Sequence, residues 1–401
     1  MKHKIPCIVG LPHSRTNVVG CDFKGNDSIT TAGGIFLNSD LLMSNCKFSS
    51  FRAGALLLSS TRNNHIKVAD SEISRCGFVG VYAQGGEAKP LLTRLKIDNI
   101  EGPGVRVHKA NRAKIVGCEI VKCQMGVEVV CAEPIIAMNV IKQNYENGVF
   151  TYAKNGLCCN AIIKHNEIAK NKDNGVLCAG TRNFTRVTKN TNICSNRRAG
   201  VKALEGAAIS ITRNKISSNF GQGVLLVEGT SAHIELNEIF TNYKANIAYG
   251  GENTADTVVL NNKIHSSRSE GIFVIESGFS WIYRNEVYGN NDGVILFDAS
   301  PHLCGNVVRD NQRAGVIVSG SSFPKMERNE VAFNNTSGVL ARDNSRLTME
   351  NNHLHDNYYQ LSLRQGREDK LQRLMENNNI EGTNELPKSL CSTLFPWGKS
   401  Y

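Results

Sequence analysis

Acidic side chains recur at one position of a repeated pattern in this sequence, five residues after a glycine that precedes an aliphatic residue. Stacking of successive repeats would bring Glu276 and Asp298 to about 5 Å from each other. At that distance one carboxylate raises the pKa of the other, as acid/base catalysis on sugars requires. The opposing interpretation, a turn position that favours Asp, Glu and Gly, is the stronger, so Glu276 and Asp298 are weak catalytic candidates. The acidic positions are Glu205, Glu228, Glu276, Asp298 and Asp343.

A short segment around Asp298 resembles a catalytic motif. Residues 297–302 read Phe-Asp-Ala-Ser-Pro-His and resemble the Asp-Pro-His of alginate epimerases, with two extra residues between Asp298 and Pro301. The sequence signatures of polygalacturonases and the calcium-binding Asp set of pectate lyases are absent. His353 and His355 alternate along one strand, and we expect them to face opposite ways. The sequence therefore predicts no metal site and no cofactor.

The elements that must position these residues are copies of one repeat of about 23 residues. One marker is a small polar residue, usually asparagine, followed by any residue and an aliphatic; a second is a glycine before an aliphatic. A ladder of aliphatic residues lies five positions before the aliphatic of the first marker, and a second line of asparagines lies three positions after it. Clear copies of the first marker begin at Asn166, Asn214, Asn237, Asn262, Asn285, Asn306, Asn329, Asn352 and Asn378.

The repeat predicts an all-β fold, a right-handed single-stranded parallel β-helix, or solenoid, of about 16 coils. Its apolar positions alternate in short bursts such as Val127-Glu128-Val129, which is typical of strands of three to five residues. Helical repeats need a longer period with apolar residues 3.6 positions apart. We expect residues 1–381 to form the β-helix and residues 382–401 to form a C-terminal tail that could cap it.

The copies NEIFTN (residues 237–242) and NEVYGNNDGVILFDASPHLCGN (residues 285–306) resemble the parallel β-helix repeat family. The likeness is greatest to the β-helix of F-box-type ubiquitin-ligase adaptors and of Shc-binding spindle-associated proteins. The resemblance covers residues 16–381 and implies the fold far more strongly than a function. It implies carbohydrate-active enzymes and intracellular binding proteins alike.

One outward face of the predicted solenoid is apolar in its C-terminal half. An exposed apolar stripe of that length is typical of a partner site, although coverage by the protein's own tail is an equal alternative. The predicted partner-binding residues of this stripe are Leu225, Phe273, Ile295, Phe297, Ile317 and Leu340.

Charge is unevenly distributed along the chain, whose formal net charge is +10. Residues 1–204 hold 28 Lys/Arg and 14 Asp/Glu, and the remainder holds 18 and 22. We expect Arg182, Arg186, Arg197 and Arg198 to meet an acidic surface such as tubulin, or equally to form a solvated basic face. A basic N-terminal half and an acidic C-terminal half would also permit head-to-tail self-association. Aromatics do not interleave with the basic residues, which disfavours nucleic acid, and no apolar run predicts a membrane span.

These features favour a non-enzymatic intracellular scaffold that binds protein partners in a larger assembly, such as a microtubule-based axoneme or spindle. The 13 cysteines are odd in number and form no C-x-x-C pair, which favours a reducing, cytoplasmic location. The alternatives are a carbohydrate-binding or carbohydrate-processing protein of the lyase or epimerase type, and a substrate adaptor of a ubiquitin ligase.

Overall fold

The computed structural model describes residues 6–26, 32–86, 89–109, 111–251, 256–277, 279–363 and 373–384. Within these ranges the chain forms a parallel right-handed β-solenoid, which confirms the predicted fold class. Three strands per coil form three long parallel sheets, here named A, B and C. Fifteen coils contribute a strand to every sheet. Among the described residues, 373–376 are helical. The predicted tail lies largely in residues 385–401, outside the described ranges.

Sheet A collects the strands that follow the repeat glycine. Its strands are β1 (Ile8–Gly10), β4 (Ala32–Leu37), β7 (Gly54–Ser59), β10 (Val81–Gln84), β13 (Val105–His108), β16 (Val127–Val130), β19 (Val149–Tyr152), β22 (Val176–Ala179), β25 (Val201–Leu204), β28 (Val224–Leu226), β31 (Ile247–Gly250), β34 (Glu270–Ile275), β37 (Asp292–Phe297), β40 (Val316–Ser319), β43 (Ser337–Ala341) and β46 (Tyr359–Leu363).

Sheet B collects the strands that precede the first asparagine marker. Its strands are β2 (Arg15–Val19), β5 (Asp40–Ser44), β8 (Ile66–Ala69), β11 (Leu91–Thr93), β14 (Lys114–Val116), β17 (Ile135–Ala137), β20 (Ile162–Lys164), β23 (Arg186–Thr188), β26 (Ala208–Thr212), β29 (Ser231–Glu235), β32 (Thr257–Leu260), β35 (Ser280–Tyr283), β38 (His302–Cys304), β41 (Lys325–Glu327) and β44 (Thr348–Glu350).

Sheet C collects the strands that follow that asparagine. Its strands are β3 (Asp22–Lys24), β6 (Lys47–Ser49), β9 (Glu72–Ser74), β12 (Lys96–Asp98), β15 (Glu119–Val121), β18 (Val140–Lys142), β21 (Glu167–Ala169), β24 (Asn192–Cys194), β27 (Lys215–Ser217), β30 (Glu238–Phe240), β33 (Lys263–His265), β36 (Glu286–Tyr288), β39 (Val307–Arg309), β42 (Glu330–Ala332), β45 (His353–His355) and β47 (Asn379–Ile380).

The core is a stack of like residues on like. Each strand pairs in parallel with the equivalent strand one coil away, so Val187 pairs with Ile211 and Ile211 with Ile234. These side chains point inward and are fully buried. Burial of one such side chain stabilises the fold by about 1.5–3 kcal/mol, and the contribution recurs at every coil.

Asparagines at the turn between sheets B and C are linked into one buried ladder. The Asn237 side-chain oxygen accepts from the backbone N–H of Asn214 at 2.9 Å and from its side-chain nitrogen at 3.0 Å. The Asn237 side-chain nitrogen in turn donates to the Ile211 carbonyl at 2.8 Å and to the Asn262 side-chain oxygen at 2.9 Å. The amide satisfies a backbone N–H and a backbone carbonyl of the preceding coil, because asparagine is both donor and acceptor.

The repeat glycines face a second asparagine ladder at the turn between sheets C and A. A Cβ on Gly223 would lie 2.7 Å from the Asn242 side-chain nitrogen and 2.6 Å from the Ile239 side chain. The glycine is therefore required by close approach of the next coil, and a larger residue would have to displace buried atoms.

At one place in the solenoid, both members of the glycine–asparagine pair are replaced. Asn246 occupies the glycine position, and Ser267 occupies the asparagine position of the following coil. The Asn242 side-chain nitrogen donates to Asn246 at 2.8 Å, and that of Asn246 donates to Asn290 at 3.2 Å. The Asn246 side chain thus restores the hydrogen-bond connection that Ser267 interrupts.

Most described cysteines are buried free thiols within the stack. Burial raises the pKa of Cys118 to about 11 and that of Cys123 to about 12. These thiols act as small apolar core residues, because a neutral thiol costs little to bury. No helix among the described residues has the length and apolarity to cross a bilayer.

Substitution of Asn237 by alanine is expected to destabilise the solenoid by about 3 kcal/mol. The change leaves the backbone N–H of Asn214 and the carbonyl of Ile211 without these buried partners, at about 1–3 kcal/mol for each group. Urea unfolding followed by circular dichroism measures the loss. The control is Asn335→Ala at an exposed asparagine, and equal stability of the two variants would contradict the ladder's role.

Candidate functional site

The outer face of sheet B carries a mixed aromatic and ionisable cluster near its C-terminal end, here named the Trp281 face. Inward Ile282, Leu303 and Met326 are fully buried, so alternation turns the residues on either side of each outward. Parallel pairing then aligns them in two ladders along the axis. The face consists of Trp281, Tyr283, His302, Cys304, Lys325 and Glu327.

Trp281 is the aromatic element of this face and is 45% exposed. Its ring centroid lies 4.7 Å from that of His302 in the next coil, at an interplanar angle of 49°. The guanidinium of Arg284 lies 4.9 Å from the Tyr283 ring on the same face. An exposed indole therefore has an imidazole beside it in the next coil, and a guanidinium lies over the tyrosine of its own strand.

Glu327 is the electrostatic centre of the face. Its carboxylate binds the Lys325 ammonium, and it accepts from His302 Nε2 at 2.8 Å. The hydrogen bond from Lys325 and then that from His302 lower the pKa of Glu327. Because an ionised carboxylate only accepts, Nε2 carries the proton and Nδ1 of a neutral His302 keeps its lone pair.

Cys304 adds a third metal-ligating type to the cluster. One ligand atom each from His302, Cys304 and Glu327 lies within 4.8 Å of the others. Burial raises the pKa of Cys304, and the carboxylate of Glu327 raises it further. The thiol is therefore neutral near pH 7 in the metal-free protein.

The acidic turn positions are brought into line, as the repeat predicts, but their backbone and contacts are those of a turn. Glu276 and Asp298 follow paired strand ends and have φ of +46° and +49°. The Asp298 carboxylate accepts from the backbone N–H of Ser321 at 2.7 Å. Asp343 accepts from the Gly320 N–H at 3.1 Å. These carboxylates stabilise turns, and catalysis by Glu276 and Asp298 stays a prediction.

The apolar stripe lies on the outer face of sheet A, and part of it is covered. Ile295 and Ile317 are 5% and 1% exposed and pack with Ala314, Phe273 and Leu340. The remaining predicted stripe residues include Leu225, which is half-buried, and Phe297, which is 40% exposed. A partner bound here would meet the edges of the stripe rather than its centre.

The four predicted arginines do not form one patch. Arg182 lies after β22 and Arg186 on β23, whereas Arg197 and Arg198 lie in the turn before β25. Arg198 forms an ion pair with Asp173 at 3.1 Å. Arg182 donates to the Gly156 carbonyl at 2.6 Å. It lines a shallow depression of ≈ 300 Å³ formed by residues 152–157, 180–182 and Glu205.

His353 and His355 face the same way, and the expectation of opposite faces is wrong. Residues two apart on a strand share a face, and these rings lie 4.2 Å apart on the outside of β45. His353 pairs with Glu381 at 3.1 Å, and His355 lies 3.6 Å from Glu330.

Sequence reasoning placed His302 in a motif but missed its companions. Trp281, Cys304, Lys325 and Glu327 are not conspicuous in the linear sequence. The available signal was the aliphatic ladder Ile282, Leu303 and Met326, because the residue on each side of a ladder position must point outward.

A protein-family model described as a right handed beta helix region matches residues 7–192, 157–280 and 247–384. No curated protein matches the chain. Among the solved structures that resemble it, the periplasmic alginate epimerase AlgG matches 79% of this chain over 76% of its own length, with 13% identity and a TM-score of 0.44. The A-module of mannuronan C-5 epimerase AlgE4 from Azotobacter vinelandii matches 88% of this chain over 88% of its own length, with 12% identity and a TM-score of 0.34. The Dettilon tailspike protein matches 86% of this chain over 62% of its own length, with 10% identity and a TM-score of 0.26.

These comparisons contradict the first functional prediction. The sequence favoured a non-enzymatic scaffold, whereas the structures that match include alginate and mannuronan epimerases. The scaffold prediction and the prediction of no enzyme are therefore wrong, and the microtubule and cilium assignments have no support. Identities of 10–13% and TM-scores of 0.26–0.44 show the fold alone. Support for a function comes from this chain's own side chains.

Replacement of Lys325 by methionine is expected to raise the pKa of Glu327 toward its ordinary value, because the neighbouring ammonium holds it down. Carboxyl-carbon NMR titration measures the shift. Lys263→Met, on the outer face of sheet C, is the control. An unchanged Glu327 titration in the Lys325 variant would show that the ammonium does not bind this carboxylate in solution.

Proposed function

Because this chain belongs to the right-handed β-helix family, which presents its outward side chains in evenly spaced ladders, we propose that it binds and processes a polysaccharide on the Trp281 face. The single observation that carries the proposal is the exposed Trp281 ring beside the Glu327-held His302. A flat aromatic ring with a few placed polar groups is the usual composition of a small-ligand site.

The repeat spacing of the solenoid suits a repeating ligand. Trp281, His302 and Lys325 occupy the same position in three successive coils, about 4.8 Å apart from one coil to the next. A polymer lying along the axis would meet an apolar ring, an imidazole and an ammonium in turn. The indole supplies apolar contact area at little conformational cost, because it has only two side-chain torsions.

The charges around the ring favour an acidic polysaccharide. Lys325 belongs to the Trp281 face and Arg284 lies over its Tyr283 ring, and both are cationic at neutral pH. Glu327 offsets part of this charge through its bond to Lys325. A uronate carboxylate would compete for Lys325, and the bidentate guanidinium of Arg284 offers a second contact.

His302 provides a group on this face that can exchange a proton with bound sugar. Glu327 holds it at 2.8 Å and fixes its tautomer, which is the arrangement that a general base requires. Abstraction of a proton next to a carboxylate, as in lyase or epimerase chemistry, needs such a base together with a cation at the carboxylate.

The finer resemblance to F-box-type adaptors and Shc-binding proteins stays a prediction, because the family covers β-helices in general. Protein partners and a cytoplasmic location also stay predictions. No contact on the described surface favours one of these over the carbohydrate function.

Substitution of Trp281 by alanine is expected to weaken polysaccharide binding at least tenfold, about 1.4 kcal/mol, because the stacking platform is lost. Trp281→Phe should retain part of the affinity. Affinity electrophoresis against neutral and uronate-containing polysaccharides, followed by calorimetry, measures the change. We expect the uronate polymers to bind best and to be released by salt.

The matched control is Phe220→Ala, which removes an aromatic side chain that is 62% exposed elsewhere on the solenoid. Processing is tested separately by NMR of the polymer after incubation with wild type, His302→Gln and Glu327→Gln. If wild type binds no polysaccharide in the panel, or if the Phe220 variant loses as much affinity as the Trp281 variant, the proposed function fails.

A further inference from the structure

We infer that His302, Cys304 and Glu327 form a site for a transition-metal cation of the Zn²⁺ class. One ligand atom from each residue lies within 4.8 Å of the others, on two adjacent strands of sheet B. The sequence predicts no metal site, because the three residues become neighbours only through pairing of β38 with β41. Nothing in the proposed carbohydrate function requires this site, and the site does not require that function.

The geometry of the sheet holds the ligands on one side. His302 and Cys304 are two residues apart on β38 and therefore share the outer face. Cys304 is paired directly with Glu327 on β41. The ligands stand on two hydrogen-bonded strands whose inward neighbours are buried, so little ordering remains to be done on binding.

The donor set selects the kind of ion. An imidazole nitrogen, a thiolate sulfur and a carboxylate oxygen suit Zn²⁺ and related cations, whereas Ca²⁺ and Mg²⁺ prefer oxygen ligands alone. Three protein ligands leave one tetrahedral position for water or substrate.

Binding has defined costs in this structure, because Glu327 already accepts from His302 and binds the Lys325 ammonium. The Cys304 S–H bond must break, with its electron pair going to the metal as a thiolate ligand and its proton to solvent. The Lys325 ammonium, which now binds Glu327, must release the carboxylate while keeping its own protons. Lys325 thus competes with the metal ion for Glu327. Removal of Lys325 is expected to increase metal affinity, whereas a general loss of structure would decrease it.

In the metal-loaded protein His302 is a ligand. A bound ion would supply Lewis-acid chemistry at the Trp281 face, where it would lower the pKa of a coordinated water. The metal would also bind a uronate carboxylate directly, beside the aromatic platform.

The test titrates the full-length, chelator-treated protein with Co²⁺ and then with Zn²⁺, without carbohydrate. A thiolate-to-cobalt charge-transfer absorption that saturates at one ion per chain and is reversed by Zn²⁺ is expected. The chain has 2 Trp, so Trp397→Phe makes the fluorescence that of Trp281, whose quenching by Co²⁺ should follow the same curve. Absence of the thiolate band at saturation would overturn the inference.

Cys304→Ser, His302→Gln and Glu327→Gln should each weaken binding about tenfold or more, and Lys325→Met should tighten it. The controls are His233→Gln, which removes the histidine of a His–Glu pair of 3.0 Å on the same sheet, and Cys194→Ser, at a half-buried cysteine on sheet C. Control variants that weaken binding as much as Cys304→Ser, or a Lys325 variant that binds more weakly than wild type, would overturn the site.

The two proposals fail separately. Polysaccharide binding is measured in chelator, and metal binding is measured without polysaccharide. A protein that binds Zn²⁺ but no glycan keeps the metal site and loses the proposed function, and a protein that binds glycan but no metal does the reverse.

Discussion

The fold depends on satisfying backbone groups at the corners of a narrow solenoid. Strands of two to six residues satisfy their own backbone by pairing with the coils above and below. The turns between them would leave buried N–H and carbonyl groups without partners, which is costly in a dry interior. The asparagine ladders supply those partners, with Asn237 joining its own coil to both neighbours. The regular register of the outer face follows from this internal alignment.

The repeat made the inside of the molecule predictable. Most inward positions are aliphatic, asparagine or glycine for reasons that recur from coil to coil, and the 23-residue spacing makes them recognisable in a single sequence. Ile211 and Ile234 were therefore assigned to one ladder, and they pair in the structure. Asparagine and glycine have structural rather than ligand-binding roles for the same reason.

The outside could be predicted only in outline. An outward residue is free to vary, and its chemistry depends on what the adjacent coil places beside it. The sequence singled out His302 because of its neighbours along the chain. Its hydrogen-bond partner Glu327 lies in the next coil, and Cys304 pairs with that same residue. The His353 and His355 error has a simpler cause, since residues two apart on a strand share a face. The covered centre of the apolar stripe, at Ile317, depends on packing around Ala314 that no linear pattern states.

Asn246 at the glycine position shows that the residue allowed in one coil depends on the residue in the next coil. The side chain at this position fits because Ser267 vacates the volume that an asparagine fills elsewhere, and it then bridges to Asn290 across the vacancy. In this geometry the two side chains depend on each other, so the energies of substituting them are expected to be non-additive. A change at either position would therefore require a matching change one coil away.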